Sequence, residues 1–273
     1  MRQIIVILGL CIAMLSNGQS YDESFAVQGI ALGNQSVTMF NAFAPVGNPA
    51  MTTNSLTPKS TSFGIMASNR FFLKNLKLGG FGIVHKFSKS DALGLVIQFD
   101  GTVNFRQNTI ALAYSKKINE KFAVGISILY LNTFEQTIGS KNNFLAKAGL
   151  IFRPSKQFLV GATVYNPFAS KLTQYTHERI PTIISTGVCY SLSKQVNVYT
   201  EYKLGWNSLR VFKMGIAYAP QSNLVIYAGF QTSNAPLSFG ISIKTKIINI
   251  NIASQYHQIL GFSPALGFDY STN

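Results

Sequence analysis

From Ser60 onward, apolar and polar residues alternate along most of the chain. In residues 121–131, Phe122, Val124, Ile126, Ile128 and Tyr130 fall on one face, and Ala123, Gly125 and Ser127 on the other. In residues 195–205, Val196, Val198, Tyr202 and Leu204 oppose Asn197, Tyr199, Glu201 and Lys203. In residues 236–245, Leu237, Phe239, Ile241 and Ile243 oppose Ser238, Gly240, Ser242 and Lys244. A period of two marks a strand whose faces meet unlike surroundings. About fourteen such segments run from Ser60 to Tyr270, each near the ~9–11 residues of a tilted membrane strand. A helical reading scatters Glu201 and Lys203 and leaves Gly125, Gly161 and Gly229 without a reason.

The connections predict how the strands are joined. One set is short: Ser88-Lys89-Ser90, Lys117–Glu120, Pro154-Ser155-Lys156, Leu192-Ser193-Lys194 and Pro220-Gln221-Ser222. The other includes the longer Asn132–Asn142 and Pro167–Ile180. The two sets interleave, as expected for an even number of strands with short periplasmic turns and longer outer loops. Aromatic residues gather at strand ends: Tyr114, Phe152, Tyr190, Tyr218, Tyr256, Phe268 and Tyr270. Such positions suit the interfacial girdles of a membrane barrel.

Gly33–Ala50 breaks the pattern, having neither strand nor sustained helical period. It ends in Asn48-Pro49-Ala50, where Pro49 lacks a backbone donor and restricts Asn48. Phe25, Val27, Ile30, Leu32, Val37, Met39, Phe40 and Phe43 give it surface to bury. The expected organisation is a signal peptide over 1–19, an N-terminal plug over 20–58 and a barrel over 59–273. The leader has Arg2 before the apolar Ile4–Leu15 and a small polar exit at Ser16–Gln19.

Composition agrees with this reading. Hydrophobic residues make up 47% and charged ones 12%, about half the charge of an average soluble domain, and the mean hydropathy is +0.20. Beyond the leader, no apolar run approaches the ~18 residues of a membrane helix. A closed barrel is then the membrane structure that satisfies every backbone group. The net charge of +14 is scattered through turns and single strand positions. It suits a cationic lumen and turns facing anionic lipid or partners rather than nucleic acid. Cys11 lies in the leader and leaves Cys189 alone, so no disulfide or zinc framework is expected. His85, His177 and His257 are dispersed, and no nucleophile elbow or phosphate loop appears. The expected protein is not an enzyme and holds no cofactor or metal.

Parity assigns Asp100, Lys147, Glu201, Lys203, Lys213 and Lys244 to the lumen, with Asp269, Asn249 and Asn251. Leu129, Leu159, Val225 and Ile247 share that parity, giving a mixed interior. Glu201 and Lys213 sit on neighbouring strands and are expected to pair. An unpaired charge facing lipid at mid-depth costs ~2–4 kcal/mol. In the longer outer loops, Phe134, Ile138, Phe168, Leu172 and Tyr175 are the candidate contacts.

Ala31-Leu32-Gly33-Asn34, Val37 and Asn48-Pro49-Ala50, followed by about fourteen strands, resemble the fatty-acid transporter (FadL) superfamily of outer-membrane proteins. Within it, the chain looks closest to the PorV/PorQ group associated with type IX secretion. That resemblance implies an all-β transmembrane antiparallel barrel with an N-terminal hatch, in the outer membrane of a Gram-negative bacterium. It makes Gly33, Asn34, Asn48, Pro49 and Ala50 the plug motif. The implied role is a barrel that docks secretion-machinery proteins or shuttles exported ones. The alternative is a plugged channel for a hydrophobic small molecule. The usual hatch has more Gly and Ala, and an acidic residue before Asn-Pro-Ala; Asn41-Ala42-Phe43-Ala44-Pro45 stands there instead.

Overall fold

The period of two becomes fourteen antiparallel strands in the computed structural model. The structure describes residues 25–54, 60–73, 75–137, 139–169, 180–205, 209–232 and 237–272. The expected leader, Ile138, Leu172 and Tyr175 lie outside the described residues.

The strands are β1 (Thr61–Asn69), β2 (Lys77–Lys86), β3 (Asp91–Gly101), β4 (Phe105–Lys117), β5 (Phe122–Glu135), β6 (Gly139–Phe152) and β7 (Phe158–Tyr165). They continue as β8 (Ile183–Ser191), β9 (Val196–Gly205), β10 (Arg210–Gln221), β11 (Leu224–Gln231), β12 (Leu237–Lys244), β13 (Ile248–His257) and β14 (Gly261–Ser271). Each pairs with the next, and β14 returns to β1 through Ser62↔Ser271 to Ser68↔Ala265, closing the barrel. No helix among the described residues is long and apolar enough to cross a membrane.

Short turns lie at one end, at 87–90, 118–121, 153–157, 192–195, 222–223 and 245–247, together with the first residue of β1 and the last of β14. We call this the turn end and the opposite one the loop end. One expected loop contracts. Residues 132–142 form the tip of the β5–β6 hairpin, paired from Asn132↔Asn142 to Glu135↔Gly139. The Asn132 amide donates to Ser140 Oγ and Asn142 Oδ1, both at 2.7 Å. These cross-strand polar pairs carry the ladder beyond the apolar band, where both faces are polar and alternation fades. Phe134 is therefore a strand residue, half-buried beneath Arg106, whose guanidinium lies 4.4 Å from the ring centroid.

The apolar parity faces outward. Ile65, Leu112, Ile126 and Ile128 are each more than half exposed, whereas Ala111, Ala113, Ser127 and Leu129 on the other parity are buried. Near the turn end, Phe122 stacks on Phe152 at 4.5 Å and Phe158 lies 4.6 Å from Tyr190. These pairs belt the barrel where the apolar band meets the turns. The outward set gives a direct test. Ile126→Lys is expected to destabilise the protein in a bilayer by about 2–4 kcal/mol, read by urea unfolding from vesicles. Ser127→Lys, which points inward, would instead disturb the plug.

Candidate functional site

Residues 25–54 fill the lumen. Helix α1 (Val27–Ala31) is short, and Gly33 and Asn34 then turn the chain with positive φ of 80° and 65°. Gly33 is required twice over: its backbone is left-handed, and a Cβ there would sit 2.6 Å from the Phe230 carbonyl oxygen. Further on, Asn48 is fully buried. Its Oδ1 accepts from Ala50 N at 3.0 Å and starts a 3-10 helix over Pro49–Asn54. Its Nδ2 donates to Val37 O at 2.8 Å and to Leu150 O of β6 at 3.3 Å. Asn48 thus pins two parts of the plug to each other and to the wall, while Pro49 supplies a first helical position that needs no donor.

The wall that receives the plug is made of glycine. Eleven of the fourteen strands carry an inward glycine in contact with it or at its level: Gly64, Gly82, Gly94, Gly125, Gly149, Gly161, Gly187, Gly215, Gly229, Gly240 and Gly267. Several face one another across strands, as Gly64↔Gly82, Gly125↔Gly149, Gly161↔Gly187 and Gly215↔Gly229. A Cβ on Gly125 would lie 2.4 Å from Pro49 C, one on Gly82 2.4 Å from Ala42 O, and one on Gly149 2.0 Å from Asn48 Oδ1. The plug backbone lies where side chains would otherwise be. These glycines are the main functional feature that residue-type reasoning missed, although three of them had already counted against a helix.

Polar contacts fix the plug around the circumference. Gln28 Nε2 donates to Asp269 Oδ2 at 2.6 Å. Gly33 N donates to Ser238 Oγ at 2.9 Å, and that hydroxyl donates to Ala31 O at 3.1 Å. Glu201 Oε2 accepts from Ser36 N at 2.7 Å and Val37 N at 3.0 Å. Lys213 Nζ lies directly across the β9–β10 register and donates to Glu201 Oε1 and Asn34 O, both at 2.6 Å. Lys147 Nζ donates to Val46 O at 2.7 Å. Lys147, Glu201 and Lys213 are almost wholly removed from solvent. Buried charges need such partners to offset their desolvation, and the plug backbone supplies part of them.

The other assigned lumen residues divide by depth. Lys203 is buried. Asp100 lies at the loop-end rim, 3.2 Å from Arg70. Lys244 has inward parity but is exposed, because it is the last residue of β12 and the chain leaves the barrel there. Ile247 is not a wall residue: it sits in the β12–β13 turn, 71% exposed. Phe168 is 80% exposed at the loop end.

On the loop-end side of the plug, the wall carries an apolar cluster set among buried polar residues such as Gln98, Asn143, Lys203 and Gln231. Met66, Leu78, Val96, Leu129, Leu131, Leu145, Tyr165 and Ile183 are buried in one cluster with Phe43 and Val46 of the plug. On the turn-end side, Ile151, Leu159, Val225, Tyr199 and Tyr227 line a mixed wall with Ser242, Asn251 and Asp269.

No protein-family profile and no curated protein matches the chain. Solved structures do. The toluene transporter TodX of Pseudomonas putida superposes with TM-score 0.66 at 11% identity, over 93% of this chain and 98% of that one. The toluene transporter TbuX of Ralstonia pickettii gives 0.65 at 13% identity, over 92% and 98%. A FadL homologue of Pseudomonas aeruginosa gives 0.59 at 10% identity, over 90% and 96%. The chain has the fold of the FadL-type channels. The likeness spans nearly the whole length of each neighbour. None of these likenesses supports the PorV/PorQ subgroup or a type IX role.

Proposed function

We propose that the protein is an outer-membrane channel of the FadL type, closed by its own N-terminal plug, that admits a hydrophobic small molecule without chemical change. The observation that carries this reading is the buried apolar cluster above the plug: Leu129, Leu131, Leu145 and Ile183 face inward. A water-filled diffusion pore presents a uniformly polar lumen, whereas an apolar cluster with a few polar groups beside it suits a ligand with little polar surface. The plug supplies the gate. It is one continuous segment at the N-terminal side of β1, held by side chains that can release its backbone. The neighbours TbuX and TodX are toluene transporters, which makes toluene the first probe.

Cells lacking other hydrocarbon channels, expressing the protein, are expected to take up labelled toluene faster than cells with an empty vector. Leu129→Asn with Leu131→Asn is expected to reduce the gain about tenfold, because each buried amide without a partner costs about 1–3 kcal/mol. Uptake equal to the empty vector, with the barrel folded in the outer membrane, would refute the channel reading. Co-purification of a stoichiometric secretion protein in that case would favour the docking role instead.

A further inference from the structure

The turn end carries a set of exposed charges that the channel reading does not require. Five of the six described turns at the turn end carry an exposed lysine: Lys89, Lys121, Lys156, Lys194 and Lys246. They are spread around the perimeter and form no single patch. The two carboxylates nearest these tips are already engaged. Asp91 accepts from Ser88, Ser90 and Tyr114, each at 2.6 Å, and Glu120 accepts from Lys117 at 2.8 Å.

Each lysine also has a large exposed apolar neighbour close in sequence. Phe87 precedes Lys89, Ile118 precedes Lys121, Leu192 precedes Lys194, and Ile247 follows Lys246. Phe158 follows Lys156 and is stacked near Tyr190. A turn that only needs water has no use for an exposed Ile at 58% or 71%. A turn at a membrane interface does: the apolar group reaches the acyl boundary while the ammonium meets the phosphates.

We infer that the turn end is a collar for anionic phospholipid headgroups of the adjoining leaflet. The inference rests on the membrane placement proposed above but not on the channel activity. Its occupant is lipid rather than an acidic protein because the lysines ring the barrel. A protein partner would meet one side, whereas a lipid annulus meets every side. Charge complementarity is direct, since lysines near an anionic surface attract its headgroups within a Debye length.

The test uses the mature chain reconstituted in phosphatidylcholine vesicles, with and without phosphatidylglycerol, then excised with its nearest lipids in polymer-bounded discs. Headgroups retained in the discs are expected to be enriched in phosphatidylglycerol roughly two- to fivefold over the bulk mixture. Replacing Lys89, Lys121, Lys156, Lys194 and Lys246 together by Gln should return the ratio to bulk. Replacing Lys77, Arg106, Lys141 and Arg210 at the loop end should leave the enrichment in place. Absence of enrichment in the wild type overturns the inference. So does enrichment that survives the turn-end replacements, or that is lost equally with the loop-end ones. Capture of an acidic protein without lipid preference also overturns it. Failure to insert even into pure phosphatidylcholine would sink the membrane placement itself, and that result is distinguishable from insertion without preference.

Discussion

Gly125→Val is expected to unseat the plug while leaving the barrel closed. The new Cβ would meet Pro49 C at 2.4 Å and Ala50 N at 2.5 Å, both plug backbone. Backbone cannot rotate away as a side chain can. Valine suits a strand, so the barrel itself tolerates it. Overpacking of this kind costs about 1–3 kcal/mol. At about 1.4 kcal/mol per tenfold, the unseated population rises roughly five- to 150-fold. Protease cleavage within residues 25–54 and passage of small polar solutes should increase together, with the folded barrel still shifting on heating in gel electrophoresis. Ala148→Val, which faces outward on β6, should change neither. Unchanged protection of the plug in Gly125→Val would show that the glycine wall is incidental.

Glu201→Ala is expected to be more damaging than removal of the whole ion pair. The single change leaves Lys213 buried with only the Asn34 carbonyl and strips Ser36 N and Val37 N of their acceptor. Breaking a buried pair from one side costs about 3–5 kcal/mol. Glu201→Met with Lys213→Met leaves no orphan charge, although the two amides still lose their acceptor at about 1–3 kcal/mol each. The double variant should therefore be more stable than Glu201→Ala by roughly 1–3 kcal/mol, read by urea unfolding from vesicles. Equal stability of the two variants would mean that Lys213 finds other partners and that the pair does not hold the plug.

The barrel was readable because lipid imposes a strict rule on each strand. Ile126 and Ser127 cannot exchange faces without cost, so the period survives along every wall. Where lipid ends, the rule ends. That is why residues 132–142 read as a loop but pair as a hairpin tip, and why Lys244 and Ile247 have the right parity without belonging to the interior. The Glu201–Lys213 pair was legible because a short connection fixes which residues oppose. The plug's surroundings were not. Gly82 and Gly125 look like ordinary small residues until cross-strand register brings the glycines of successive strands to one level. Ser238 and Gln28 gain partners across more than 200 positions of sequence, and local pattern carries no trace of such contacts.

The closure of β1 on β14 has a consequence for how the molecule is assembled. The plug precedes β1 in the chain, yet its partners extend to Asp269 near the end of β14. Until that last seam zips, the insert has no complete wall to seat against. The full set of plug partners therefore exists only after the final strand has joined the first. Gln28, bonded to Asp269, would be among the last groups to find its place.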